Sequence, residues 1–152
     1  MMRAALLLLA SALALPLHAQ LPVKSYGQDL VDQVVARNPG LLVIVLHVSP
    51  PNVPNYPIIA SNIGRIGKIA DDDDMKVVSS GEPKVGVYAQ GKRYGVELPL
   101  RDAANKTIGA LSLGFRYNSG DDEKAFLARA EKVRDELQKR IPSVESLAEL
   151  DP

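Results

Sequence analysis

Hydrophobic and polar positions along this chain change rhythm several times, and each rhythm predicts an element. The first block, Ala4 to Leu15, is apolar with no charged residue, preceded by Arg3 and followed by Pro16 and Ala19. That layout predicts a cleavable secretory leader over residues 1 to 19. The run is too short for a bilayer span, which takes about 20 apolar residues. From Tyr26 to Arg37 the period is helical: Leu30, Val31, Val34 and Val35 share one side, and Asp29, Asp32, Gln33 and Arg37 the other. Asn38-Pro39-Gly40 stops this helix. Leu41 to Val48 is unbroken apolar sequence apart from His47, which predicts a strand buried on both faces and central in its sheet.

The proline-rich stretch Ser49 to Asn55 predicts an extended loop, Tyr56 to Ser61 a short strand, and Ala70 to Ser79 a polar helix. Asp71 to Asp74 stand at the start of that helix, where carboxylates favour the positive end of its dipole. Val85, Val87 and Ala89 then alternate with Gly86, Tyr88 and Gln90, and Tyr94, Val96, Leu98 and Leu100 alternate with Arg93, Gly95, Glu97 and Pro99. Joined around Gln90-Gly91-Lys92, these two runs read as a β-hairpin. Thr107 to Tyr117 continues as a strand with Ile108, Ala110, Ser112, Gly114 and Arg116 on one face and Leu111, Leu113, Phe115 and Tyr117 on the other. The loop Asn118 to Asp121 caps a helix from Asp122 to Ile141, whose buried stripe is Phe126, Leu127, Ala130, Val133, Leu137 and Ile141. Pro142 ends it, and residues 143 to 152 read as a loosely held tail.

Composition narrows the chemistry. Residues 20 to 152 fit one domain. The chain's 18 Lys+Arg balance 18 Asp+Glu, and loss of Arg3 with the leader leaves one acid in excess. No electrostatic case for nucleic acid or an anionic membrane follows. There is no cysteine, which excludes disulfides, thiol catalysis, zinc–thiolate sites and thioether-linked haem. His47 is the only histidine beyond the leader, so a Ser-His-Asp centre has one imidazole to draw on, and zinc would need a carboxylate-rich set. No cofactor, catalytic residue or metal ligand is assigned, and a hydrolase is the weakest of three functional classes.

Several segments carry two readings. Gly64-Arg65-Ile66-Gly67-Lys68, ahead of a helix, offers backbone N–H groups and two cations to a carboxylate or phosphate, or is a connector with solvated charges. It is not a P-loop, since two residues rather than four separate the glycines and Ile69 follows the lysine. It resembles the Gly-x-x-Gly loop of RNA-binding KH domains, a reading that export and the neutral charge oppose. His47 is either a satisfied core histidine or a ligand contact. Tyr88 and Tyr94 either stack on a ligand or pack the hairpin. The small side chains of Ala110, Ser112 and Gly114 either leave room for a ligand or let a helix approach closely. The aspartate run lacks the spacing and glycine of an EF-hand and reads as a solvated helix start rather than a calcium site.

The stretch Val96-Glu97-Leu98-Pro99-Leu100-Arg101-Asp102-Ala103-Ala104-Asn105-Lys106-Thr107-Ile108-Gly109-Ala110-Leu111 resembles the "P-L-x-D-x-x-G-x-x-I-G-x-L" turn of Cache domains, the extracellular relatives of PAS sensors. Asn105 stands where that turn has glycine, and asparagine is the next most tolerant of the left-handed conformation. The resemblance implies an α+β domain over residues 20 to 142: a PAS/Cache-like antiparallel sheet of about five strands, with a long N-terminal helix, a short connecting helix and a C-terminal helix. It further implies a pocket between the sheet and residues 56 to 70, with His47, Asn62, Arg65, Lys68, Tyr88 and Tyr94 as candidate ligand-binding residues. The expected protein is a free-standing periplasmic or secreted module, not inserted in the membrane after cleavage. It would bind a small organic ligand, anions included, without catalysis. The alternative is a module with a filled core that docks onto a membrane receptor or another envelope protein.

Overall fold

In the computed structural model, which describes residues 24–150, Ser25 caps helix α1 (Tyr26–Arg37) by accepting the N–H of Gln28 on its hydroxyl. The leader expected over residues 1 to 19 lies outside the described residues. Strands β1 (Leu41–Val48) and β2 (Ile58–Ser61) follow, then helix α2 (Asp72–Ser80) and strands β3 (Lys84–Tyr88), β4 (Arg93–Arg101) and β5 (Thr107–Arg116). Helix α3 (Glu123–Arg140) and a short 3-10 turn (Glu145–Ala148) complete the chain. The class is α+β, with one five-stranded antiparallel sheet in the order β2-β1-β5-β4-β3. Among the described residues no helix is long and apolar enough to cross a membrane.

Four expectations are corrected. The N-terminal helix is not long: α1 has 12 residues against 18 in α3, because the Asn38-Pro39-Gly40 stop follows after about three turns. The central strand is β5 rather than β1. β1 is nonetheless buried on both faces, since burial comes from the layers above and below a strand and not from its place in the order. β2 begins at Ile58 because Tyr56 takes a positive φ of 47° and Pro57 has no N–H to give a ladder. The segment after Pro142 is not loose: Leu147 is fully buried, Tyr26 N–H donates to Glu149 O at 2.8 Å, and Ser25 pairs with Leu150.

The two faces of the sheet are chemically unlike. One carries Tyr94, Val96, Leu98 and Leu100 of β4 and Leu111, Leu113 and Phe115 of β5, sealed by α1, α3 and Leu147 into the main core. Tyr94 and Phe126 stack there with centroids 5.2 Å apart. The other face has only a small apolar group, Val43, Val45 and Ile58, and is partly covered by α2.

The turn that carries the Cache-like motif explains two of its residues. Asn105 adopts φ 65°, as expected of the residue at the glycine position. At the entrance to β5, Leu100 pairs with Gly109 and Arg101 with Thr107, which leaves Ile108 as the extra residue of a β-bulge. The bulge turns Ile108 into the main core, away from Ala110, Ser112 and Gly114, with which strict alternation grouped it. Gly109 lies so close to β1 that a Cβ there would overlap the carbonyl oxygen of His47. Pro99 sits on β4 beyond the last β3 pair, Lys84 with Glu97, where no neighbouring strand requires its missing N–H.

Candidate functional site

The face under α2 holds two of the polar side chains that the fold buries, His47 and Asp74. The stretch Asp71 to Asp74 starts α2 as expected: Asp71 accepts the N–H groups of Asp73 and Asp74, and Asp74 reaches back to the N–H of Asp71, a reciprocal capping box. Those backbone hydrogen bonds, that of Asp74 first, hold the Asp71 carboxyl below its ordinary range. Asp71, Asp72 and Asp73 are exposed, whereas Asp74 turns inward onto the sheet and is buried.

Asp74 meets two groups of the sheet. Its Oδ2 lies 3.4 Å from His47 Nε2, and its Oδ1 accepts from Ser112 Oγ at 3.4 Å. The other imidazole nitrogen, Nδ1, is 2.9 Å from the carbonyl oxygen of Tyr56, which can only accept, so Nδ1 carries a proton. Nε2 then faces a carboxylate oxygen of Asp74. The order is histidine, aspartate, serine, with the carboxylate in the middle. A nucleophilic triad needs the imidazole between the other two, with a nitrogen free to take the serine proton. This trio pins α2 to β1 and β5.

Beyond α2 the same face is open. Gly95, Ser112 and Gly114 floor a cavity of about 190 Å³, walled by Val43, Tyr88, Arg93 and Glu97. The glycines let neighbouring side chains pack directly on the sheet. A Cβ on Gly114 would stand 3.0 Å from both Arg93 Cδ and Val43 Cβ, and one on Gly95 would stand 2.6 Å from Tyr88 Cε2. Tyr88 thus lies flat over a glycine floor. Two residues that line the cavity each keep a buried polar atom without a hydrogen-bond partner: Arg93 Nε and Glu97 Oε2. Burial pushes the Glu97 carboxyl above its ordinary range, against the opposing pull of the Lys84 ammonium. Lys84 itself is ion-paired with Asp73.

The six residues singled out from the sequence do not converge. Tyr88 borders the cavity, and His47 is on the same face but walled off behind Asp74. Tyr94 is on the opposite face, because the register pairs Val87 with Tyr94 and Tyr88 with Arg93. Asn62 is spent on β1, where its Oδ1 accepts from Ile44 N–H at 2.8 Å and its Nδ2 donates to Leu42 O at 3.1 Å. Arg65 and Lys68 are exposed on the loop beside β2. The N–H groups expected there for an anion are in use: Gly67 N–H donates to Ile58 O and Lys68 N–H to Arg65 O.

The residues that sequence reasoning missed are Arg93, Gly95, Glu97 and Asp74. The signal for the first three was present in the alternation of β4, where a cation, a glycine and an acid share one strand face opposite the small residues of β5. Among the described residues no three His, Cys, Asp or Glu side chains gather as a metal site. No known family model, curated protein or solved structure matches this chain.

Proposed function

We propose that this chain is an exported, Cache-like, non-enzymatic module that binds a small polar molecule in the cavity bordered by Tyr88. The observation that carries this reading is that Arg93 and Glu97, which line the cavity, each keep a buried polar atom without a partner. Arg93 Nε–H requires an acceptor and Glu97 Oε2 requires a donor, and leaving such groups unmet costs about 1–3 kcal/mol each. A ligand with a carboxylate or similar acceptor at one end and an ammonium or hydroxyl at the other supplies both. The Cache-like turn and the five-stranded antiparallel sheet support the same reading, and the leader-like residues 1 to 19 support export.

The test is a thermal-shift panel of small amphoteric and anionic metabolites on the native chain and on Arg93→Gln. A ligand at a hundred times its Kd stabilises the native state by about 2.7 kcal/mol, a shift of several degrees. The expected result is a shift in the native chain that Arg93→Gln abolishes. No shift across the panel, or one equal in the variant, overturns the proposal. A second reading, an interaction module, draws on the exposed Ile63, Ile66 and Ile69 beside β2. Capture of an envelope protein that is lost on replacing these isoleucines by Ser, together with an unresponsive panel, is the outcome that favours it.

A further inference from the structure

The helices that seal the other face of the sheet carry a second site. Between α1 and α3 runs a groove of about 470 Å³ with Val133 and Leu137 in its floor. Its rim bears four cations, Arg37, Lys132, Lys139 and Arg140, against one acid, Glu136. The chain as a whole is neutral, so this is a local concentration of charge. The two guanidinium groups converge: Nη2 of Arg37 and Nη2 of Arg140 both donate to Oε1 of Gln33, at 3.3 and 2.9 Å. A neutral amide oxygen is thus the common partner of two cations. Among the described residues neither arginine enters an ion pair, nor do Lys132, Lys139 or Glu136. Elsewhere in the fold lysines do find carboxylates, as Lys24 does with Asp32 and Lys84 with Asp73.

We propose that this groove binds a phosphoryl oxyanion. Guanidinium forks match the oxygens of phosphate and carboxylate alike. Four cations against one acid favour a dianion over a single carboxylate. Such a group belongs either to a soluble phosphorylated compound or to the headgroup of an anionic lipid.

Phenyl phosphate is the soluble probe, titrated calorimetrically into the full chain at low salt. Vesicles of phosphatidylglycerol with phosphatidylcholine, compared with phosphatidylcholine alone in a sedimentation assay, probe the lipid source. The groove pair Arg37→Gln/Arg140→Gln is compared with Lys92→Gln/Lys124→Gln, which removes the same charge elsewhere. Phenyl phosphate binding is expected to fall about tenfold or more in the groove pair and to stay within about twofold in the control pair. Vesicle binding that follows the same pattern assigns the anion to a headgroup, and vesicle binding equal in the two pairs assigns it to a soluble compound. If the groove pair melts far below the native chain, the rim pair Lys132→Gln/Lys139→Gln replaces it, with an expected loss of about threefold. Absence of binding by either probe, or equal losses in the groove and control pairs, overturns the proposal.

Discussion

Gly109→Ala tests whether the β-bulge at the start of β5 is as tight as it looks. The added Cβ would overlap the carbonyl oxygen of His47 and stand 3.0 Å from that residue's carbonyl carbon and 3.1 Å from Val48 Cα. All three are backbone atoms, so no rotamer change relieves the clash. β1 and β5 must move apart by on the order of 1 Å in a region packed at crystal-like density. They are neighbours from Leu41 to Val48, and the displaced residue is His47, whose ring is fixed by Tyr56 and Asp74. Overpacking against side chains costs about 1–3 kcal/mol, and a backbone clash with no escape belongs at the top of that range, about 3 kcal/mol. For a domain of this size that lowers Tm by roughly 6–12 °C, read by circular dichroism on heating. Gly95→Ala is the internal contrast, because its Cβ meets only the ring of Tyr88, which can swing into solvent. If Gly109→Ala melts within about 2 °C of the native chain, the reasoning about close strand approach is wrong.

Two further perturbations probe the polar face. Asp74→Ala removes the inward half of the capping box and leaves His47 Nε2 and Ser112 without their partner, so a loss of about 3–5 kcal/mol is expected in urea unfolding. Asp72→Ala, one turn edge away and exposed, should stay within about 0.5 kcal/mol, and equal losses in the two would refute the distinction. Glu97→Gln addresses the raised carboxyl. A folded-state value above the unfolded one means that the native state holds its proton more tightly, so Glu97 lowers stability as pH rises through the interval between the two values, starting from the ordinary carboxylate range. The glutamine variant is therefore expected to be more stable than the native chain at pH 7, and the difference is expected to vanish below about pH 4. A variant less stable at pH 7 would show that Glu97 is satisfied in the native state.

The elements were legible in the sequence because each follows from a local rhythm. The span of β1 is as expected, and the long amphipathic stripe of α3 packs as its spacing required. What stayed hidden depends on relations between strands. Alternation within β3 and β4 separates each strand's faces, but it does not say that Tyr88 shares a face with Arg93 rather than with Tyr94. That is set by the four residues of the turn between Tyr88 and Arg93, with Ala89, Gln90 and Gly91 all at positive φ. Ile108 changed sides for a similar reason, since a one-residue bulge inverts the pattern on one side of it. Asp74 was hidden inside a run of like residues, where only its angular position on α2 separates it from its exposed neighbours. The C-terminal segment gave no periodic signal because a single leucine, Leu147, anchors it, against Gly27 of α1.

The small-residue face of β5 offered two readings from sequence, room for a ligand or close approach of a helix, and it satisfies both within two residues. Over Ser112 the space is taken by α2, through the carboxylate of Asp74. Around Gly114 no helix of the described residues covers the sheet, and there Arg93 and Glu97, which line the cavity, each keep a buried polar atom without a partner. A fold selected for stability alone would close this half as it closes the other, with apolar side chains on the floor and no buried charge above it. The covered half shows that this sheet can satisfy its polar groups, since His47, Asp74 and Ser112 do so with one another. The open half departs from that standard in two residues on one strand, a donor and an acceptor four positions apart. On the proposed reading these are the two groups that a ligand would join, and the Arg93→Gln comparison tests that reading directly.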